Sequence, residues 1–199
     1  MSKLSSALLL LVCCGLAAAH FHINRCLPVP GKYPFDEEKF SGEWFSVANA
    51  MTPKKFNSAI TCGKIHYKAD KMANVSKVHI EALLKLSDGT EKKIEGKGEG
   101  VMPGVASCTN MAYKFSEDEK FHKVVNQAIL ATDYETYALV HACKEFYDDK
   151  TDMFTKLVFN EIWSRSKTLD EGKLKTLKSV MSGLNIDDDK WELIDNAAC

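Results

Sequence analysis

The sequence contains no C-x-x-C pair and no H-E-x-x-H run, so the familiar spacings of a zinc site are missing. No serine-nucleophile motif is present either. Charge of one sign is also lacking. The 199 residues carry a formal net charge of −1 and no basic cluster stands out, which makes nucleic acid and anionic membrane poor partners. Beyond the N-terminus no run is long and apolar enough to span a bilayer. No internal repeat or low-complexity linker interrupts the chain, and its length suits one domain with a sizeable core.

What is present begins with Lys3, an apolar run from Ala7 to Leu16, and Ala17-Ala18-Ala19. This is the pattern of a secretory signal peptide cleaved after Ala19, too short for a membrane helix and without a stop-transfer sequence. Residues 1–19 are therefore expected to leave, and residues 20–199 to form a single domain. Losing Lys3 makes the net charge one unit more negative. Of seven cysteines, Cys13 and Cys14 leave with the leader, while Cys26, Cys62, Cys108, Cys143 and Cys199 remain. In a secreted chain disulfides are the default. An odd number leaves one thiol free or paired between chains, so a homo-oligomer stays open. His20 and His22 beside a free amine could hold a divalent metal weakly, against the blander reading of a frayed terminus.

Pro28, Pro30-Gly31 and Pro34 disfavour regular structure as far as Asp36, and Asp36 to Lys39 can make one helical turn leading into Phe40. Period-two segments then follow at Trp44 to Ala50, Cys62 to Lys68, Val75 to Leu86, Glu91 to Glu99, Ser107 to Phe115, Phe121 to Ala131, Tyr137 to Cys143 and Phe154 to Ser164. An Asp88-Gly89 turn joins the third to the fourth. The fourth is heavily charged, with Ile94 its only large apolar residue, and an exposed edge or rim is its natural place. Thr168-Leu169-Asp170-Glu171 resembles a capping box. Leu174, Leu177, Val180, Met181 and Leu184 recur beyond it at helical spacing, which predicts a helix laid against a sheet. The expectation is all-β: an eight-stranded antiparallel up-and-down barrel with one C-terminal α-helix outside it. A barrel of that size encloses room for one small ligand.

Three short stretches recur in order along this frame: Gly42-x-Trp44 opening the first strand, Thr132-Asp133-Tyr134 between the sixth and seventh, and Arg165 after the eighth. In this combination, with the strand count and the terminal helix, the chain resembles the lipocalins from about Cys26 to Cys199. The resemblance implies that Trp44 closes one end of the barrel, with Arg165 crossing it in a cation–π contact worth roughly 0.5–2 kcal/mol. It makes Gly42, Trp44, Thr132, Asp133, Tyr134 and Arg165 structural residues. Within the lipocalins the likeness is to arthropod pigment carriers of the insecticyanin and bilin-binding type and, more loosely, crustacyanin. It rests on Ile129 to Tyr134, Tyr137-Ala138, Cys143, Ser164 to Lys167 and Cys199. It implies disulfides Cys26–Cys143 and Cys62–Cys199. Cys108 has no counterpart in that scheme and is expected to point outward, as a quiet thiol, an intermolecular disulfide or a ligand adduct. A second departure from the pigment carriers is expected at Cys199, beyond which they would continue, so that less tail is expected to cover the barrel.

The resemblance implies a non-enzymatic carrier of a hydrophobic small molecule. A biliverdin-type tetrapyrrole leads as ligand, with carotenoid, fatty acid or another lipid behind it and no required cofactor. Apolar and aromatic strand residues are the ligand-binding candidates: Ile65, Tyr67, Leu83, Met111, Tyr113, Phe115 and Tyr137. His66, His79, His122 and His141 could hydrogen-bond a propionate or keto oxygen, although a surface histidine is the plainer reading of each. The alternative is an interaction protein, a protease inhibitor or biogenic-amine scavenger, using open-end loops near Thr52 to Ser58 and Gly100 to Ala106. An isomerase would need Cys108 in the pocket. Asn74-Val75-Ser76 is a glycosylation sequon.

Overall fold

The computed structural model describes residues 25, 26, 28–52, 58–72, 75–101, 107–121, 123–183 and 191–199. The leader, the pair His20 and His22, Asn74, His122, Leu184 and the segments 53–57 and 102–106 lie outside the described residues. The chain forms two compact units, one of Val29–Lys144 with Leu157–Cys199 and one of Met1–Pro28 with Glu145–Lys156. In chain order the elements are α1 (Glu37–Phe40), β1 (Gly42–Thr52), β2 (Ile60–Met72), β3 (Val75–Leu86), β4 (Glu91–Gly100), β5 (Cys108–Phe115), β6 (Lys123–Thr132), β7 (Tyr137–Asp148), β8 (Met153–Ser164), α2 (Glu171–Gly183) and β9 (Glu192–Leu193).

In the sheet, β2 through β8 follow in sequence order and β1 lies beside β8. β1 also pairs with β2, from Gly42↔Tyr67 to Phe45↔Lys64, and this closes the eight strands into an antiparallel barrel. The period-two sequence sorts the faces. Ile65, Tyr67, Val78, Ile80, Met111, Val125, Ile129 and Val140 form the inner core. A second cluster lies outside the barrel wall, where Leu177 and Met181 of α2 bury themselves against Phe45, Val47, Leu139 and Ile162.

β4 is neither edge nor rim, because closure leaves it hydrogen-bonded to β3 and β5 along its length. Its charged residues Lys93, Glu95, Lys97 and Glu99 occupy the outer register, and Ile94, Gly96 and Gly98 the inner one. The glycines are there for space. A Cβ on Gly96 would sit 2.5 Å from the Tyr113 ring, and one on Gly98 would collide with Met111 Sδ. The run that looked too polar for a barrel wall is thus a wall whose inner residues have given their volume to the neighbouring strand.

The helix cap also differs from expectation. Asp170, rather than Thr168, caps α2, its carboxylate accepting from Lys173 N at 2.9 Å. Val180 is exposed, off the buried stripe that Leu174, Leu177 and Met181 make. β9 was not foreseen. It pairs with β1 at Ala48 and Asn49, just past the bulge at which β1 has parted from β2. Asn196 fills the gap, accepting from Gly63 N at 2.8 Å and donating to Ser46 O at 2.9 Å. Cys199 then bonds Cys62, with Cα atoms 5.1 Å apart. Cys26 and Cys143 are each in disulfide linkage as well.

In the smaller unit, Cys26 N donates to Glu145 Oε1 at 2.7 Å, and Arg25 lies over the Phe154 ring. Phe154 meets Tyr147 edge to face, with centroids 5.4 Å apart.

Candidate functional site

One end of the barrel is sealed. Arg165 stacks over Trp44 with its guanidinium carbon 3.7 Å from the ring centroid. The same side chain donates to Tyr134 O (3.0 Å), Glu43 O (2.9 Å), Lys39 O (2.8 Å), Phe40 O (3.1 Å) and Ser41 O (3.2 Å). Gly42 takes φ +112° inside this knot, where a Cβ would stand 3.2 Å from Arg165 Nη1. Trp44 donates its indole N–H to Phe40 O at 2.9 Å, and Phe40 meets the Tyr67 ring edge-on.

The Thr132-Asp133-Tyr134 turn locks the same end. Asp133 Oδ1 accepts from the backbone N–H groups of Glu135, Thr136 and Tyr137, while Oδ2 takes the Thr136 hydroxyl and the Lys173 ammonium of α2. Burial opposes the charge of Asp133, but these hydrogen bonds outweigh it and hold the carboxyl far below the usual carboxylate range. The Tyr134 hydroxyl accepts from Asp36 N at 3.0 Å.

Above this floor lies a cavity of about 310 Å³. Its wall is mainly aliphatic and aromatic: Ile65, Ile80, Leu84, Phe115, Val125, Val140 and Phe159 are among the residues that face it, and Trp163 forms part of its base. Met51, Ile60, Lys144 and Leu157 line it on the strand segments remote from Arg165.

Three of the seven candidate ligand residues, Ile65, Tyr113 and Phe115, line this cavity. Tyr67 and Met111 point inward but lie in the packed floor, 1% and 0% exposed. Leu83 falls on the outer register between Ala82 and Leu84, which take the lumen positions. Tyr137 is outside too, in the cluster under α2 with Lys173 over its ring. Period two gives the two faces of a strand; which face is the lumen depends on closure and bulges.

Among the described residues, none of the histidines lines the lumen. His66 is exposed, His79 contacts Glu95, and His141 is turned to the outer wall, where its Nδ1 meets Asn160 Oδ1 at 2.7 Å. Cys108 is a free, half-buried thiol on the outer face, with Gly31 lying against its sulfur. Up-and-down connectivity puts Gly100 and Ser107 at the Arg165 end, since β4 runs toward it and β5 away from it. They are not at the open end, as the interaction-protein alternative supposes.

Sequence reasoning missed the polar residues of the lumen. Glu161 stands in the row Leu157, Phe159, Glu161, Trp163, and a single acid in an otherwise apolar alternation is the signal that could have found it. Its Oε2 accepts from Trp163 Nε1 at 2.8 Å and its Oε1 from Ser46 Oγ at 3.3 Å. Burial pushes the Glu161 carboxyl up from its ordinary range, and those two hydrogen bonds only partly restrain it. Gln127, 5% exposed, accepts the Tyr113 hydroxyl on Oε1 at 2.5 Å. Ile194, just beyond β9, closes part of the wall; no local pattern announces it.

A closed eight-stranded barrel with a plugged end, an outer helix and an apolar lumen is the lipocalin fold, a container able to take a small hydrophobic ligand. The Triabin family model matches residues 26–173, and the chain belongs to that family. Among curated proteins it is similar to apolipoprotein D of Oryctolagus cuniculus, 27% identical over 184 residues that cover 90% of this chain and 86% of that protein. The Bos taurus apolipoprotein D is 28% identical over 181 residues, with the same coverage. Among solved structures, insecticyanin of the tobacco hornworm Manduca sexta superposes with TM-score 0.58 at 22% identity, covering 87% of each chain. Lobster apocrustacyanin A1 gives 0.55 at 19%, covering 85% of this chain and 92% of its own. At that identity the solved structures establish the shared barrel. Among the described residues no group of three or more His, Cys, Asp or Glu could hold a metal ion.

Proposed function

We propose that this chain is a secreted carrier that holds one small hydrophobic molecule in the barrel lumen. The observation that supports it is the 310 Å³ cavity with its mainly apolar wall. This volume lies near the lower end of the roughly 300–1,000 Å³ of small-molecule sites. Each 100 Å² of apolar ligand surface taken from water there is worth roughly 2.5 kcal/mol. A biliverdin-type tetrapyrrole is the ligand that the likeness to pigment carriers favours, with carotenoid, fatty acid or another lipid behind it.

Secretion is supported by the leader pattern and by cysteines in disulfide linkage. The Asn74 sequon is then open to glycosylation. The placement of Cys108 against Gly31 favours the quiet-thiol reading over a disulfide-linked homo-oligomer. The test is the absorbance spectrum and native mass of the protein purified from a secreting host and from tissue. Visible bands with a matching mass increment name a pigment, and a colourless protein with a lipid mass names the other class. A protein that carries no load and takes up neither biliverdin, carotenoid nor fatty acid refutes carriage.

A further inference from the structure

We infer that Glu161 and Gln127 form a subsite inside the lumen for a neutral hydroxyl group at the end of an otherwise apolar ligand. This rests on the carrier reading and deepens it by giving the polar chemistry of the cargo.

The geometry is that of a donor and an acceptor facing one space. Gln127 lies on β6 directly opposite Ala142 of β7, and Glu161 lies on β8, the next strand round. Two strand spacings of about 4.8 Å set a sideways offset of roughly 10 Å between the two backbones. Gln127, Ala142 and Glu161 all line the lumen. Tyr113 ties the pair together: its hydroxyl donates to Gln127, and its pKa is pushed up by burial and then by the charge of Glu161.

Counting hydrogen bonds shows what is missing. Gln127 Oε1 is satisfied by Tyr113, but Gln127 Nε2 is buried without a partner. A buried donor left without a partner is costly, so the site favours an occupant that accepts from it. Glu161 accepts one bond on each oxygen, from Trp163 and from Ser46, which leaves lone pairs free for one more donor. The occupant that completes both must accept from Gln127 and donate to Glu161, and a hydroxyl does so with a single oxygen. An ammonium would satisfy Glu161 but has no lone pair for Gln127. A carboxylate would accept from Gln127 but would press a second acid against Glu161, and two close carboxyls cannot both stay ionised. The subsite therefore selects alcohols over acids and amines of equal apolar length.

The test uses the full secreted chain with 1-decanol, decanoate and decylamine at pH 8, read by tryptophan emission, since Trp163 is hydrogen-bonded to Glu161, and checked by native mass spectrometry. The expected result is at least tenfold tighter binding of decanol than of either ion. E161Q should raise decanoate affinity about tenfold and so narrow or erase the preference for decanol over decanoate. Q127L should weaken decanol about tenfold and leave decanoate the weaker ligand. Thermal melts establish that each variant is folded; should E161Q not fold, the decanol-to-decanoate ratio in the native protein and in Q127L decides alone. Equal binding of decanol and decanoate, or tighter binding of decylamine, overturns the subsite while leaving carriage intact. Absence of binding by all three, together with no uptake of the pigments above, overturns carriage and the subsite with it.

Discussion

Replacing Arg165 should unfasten the closed end without touching the lumen. The side chain holds five backbone carbonyls and the Trp44 ring. Hydrogen bonds to a charged group contribute about 1.5–3 kcal/mol each when well buried. Here Arg165 is only half-buried, and the carbonyls released near Lys39 and Ser41 can reach water, so most of that gross sum is recovered. The stacking adds about 1 kcal/mol. Arg165→Ala should therefore cost about 3 kcal/mol, a fifth or more of the 5–15 kcal/mol typical of a domain. For a domain of this size that is a fall in Tm of about 6–12 °C. Arg165→Lys should recover less than half, because an ammonium cannot reach Tyr134 O on one side and Glu43 O on the other as a planar fork does. The assay is urea unfolding followed by tryptophan emission, with the midpoint shifting at unchanged slope. Ligand affinity of the folded fraction should stay within a few-fold of native, since Arg165 does not line the cavity. A loss under 1 kcal/mol, full rescue by Lys, or a large change in ligand affinity would refute the assignment of Arg165 to the floor.

Three further outcomes are expected. Cys62→Ser opens a bridge spanning 137 residues and should cost up to about 5 kcal/mol by chain entropy, read as a lowered Tm; reductant should lower the native Tm at least as far, since it opens the linkage of Cys26 and Cys143 too. Gly98→Ala drives a methyl into Met111 and toward the Asn110 carbonyl, and should destabilise by about 1–3 kcal/mol; a neutral result in urea unfolding would mean that β4 and β5 have slack the structure does not show. The carboxyl of Asp133 is depressed in the fold, so its stabilisation is fully present above its unfolded pKa of about 4 and fades as pH falls toward its lowered folded pKa. With a discount for solvent screening of this exposed carboxyl, Asp133→Ala should be about 1–2 kcal/mol less stable than native at pH 7, and the gap should shrink from pH 4 down to pH 2; a constant gap would deny the charge its role.

The eight strands, the outer helix and the plugged end were legible because period two, the Asp88-Gly89 turn and the Gly42-x-Trp44, Thr132-Asp133-Tyr134 and Arg165 stretches are each local or resemble a known pattern. β4 was misplaced because a residue's polarity can be seen in the sequence, while the volume it leaves for Tyr113 across the sheet cannot. Thr168 was mistaken for the cap because Asp170 offers the same chemistry two residues later, and packing of Leu177 and Met181 set where the helix starts.

By itself, the sequence determined the container: alternation sets two faces for every strand, and only closure can bury one of them along eight strands. Tertiary structure decided the contents. It turned Leu83 and Tyr137 outward, sank Tyr67 and Met111 into the floor, and brought Glu161 and Gln127 from two strands and Ile194 from a C-terminal segment to one lumen. The physical reason is that an inner position is defined by register and barrel closure, which depend on pairings between residues far apart in the chain, whereas the period that signals a strand is written within a few residues.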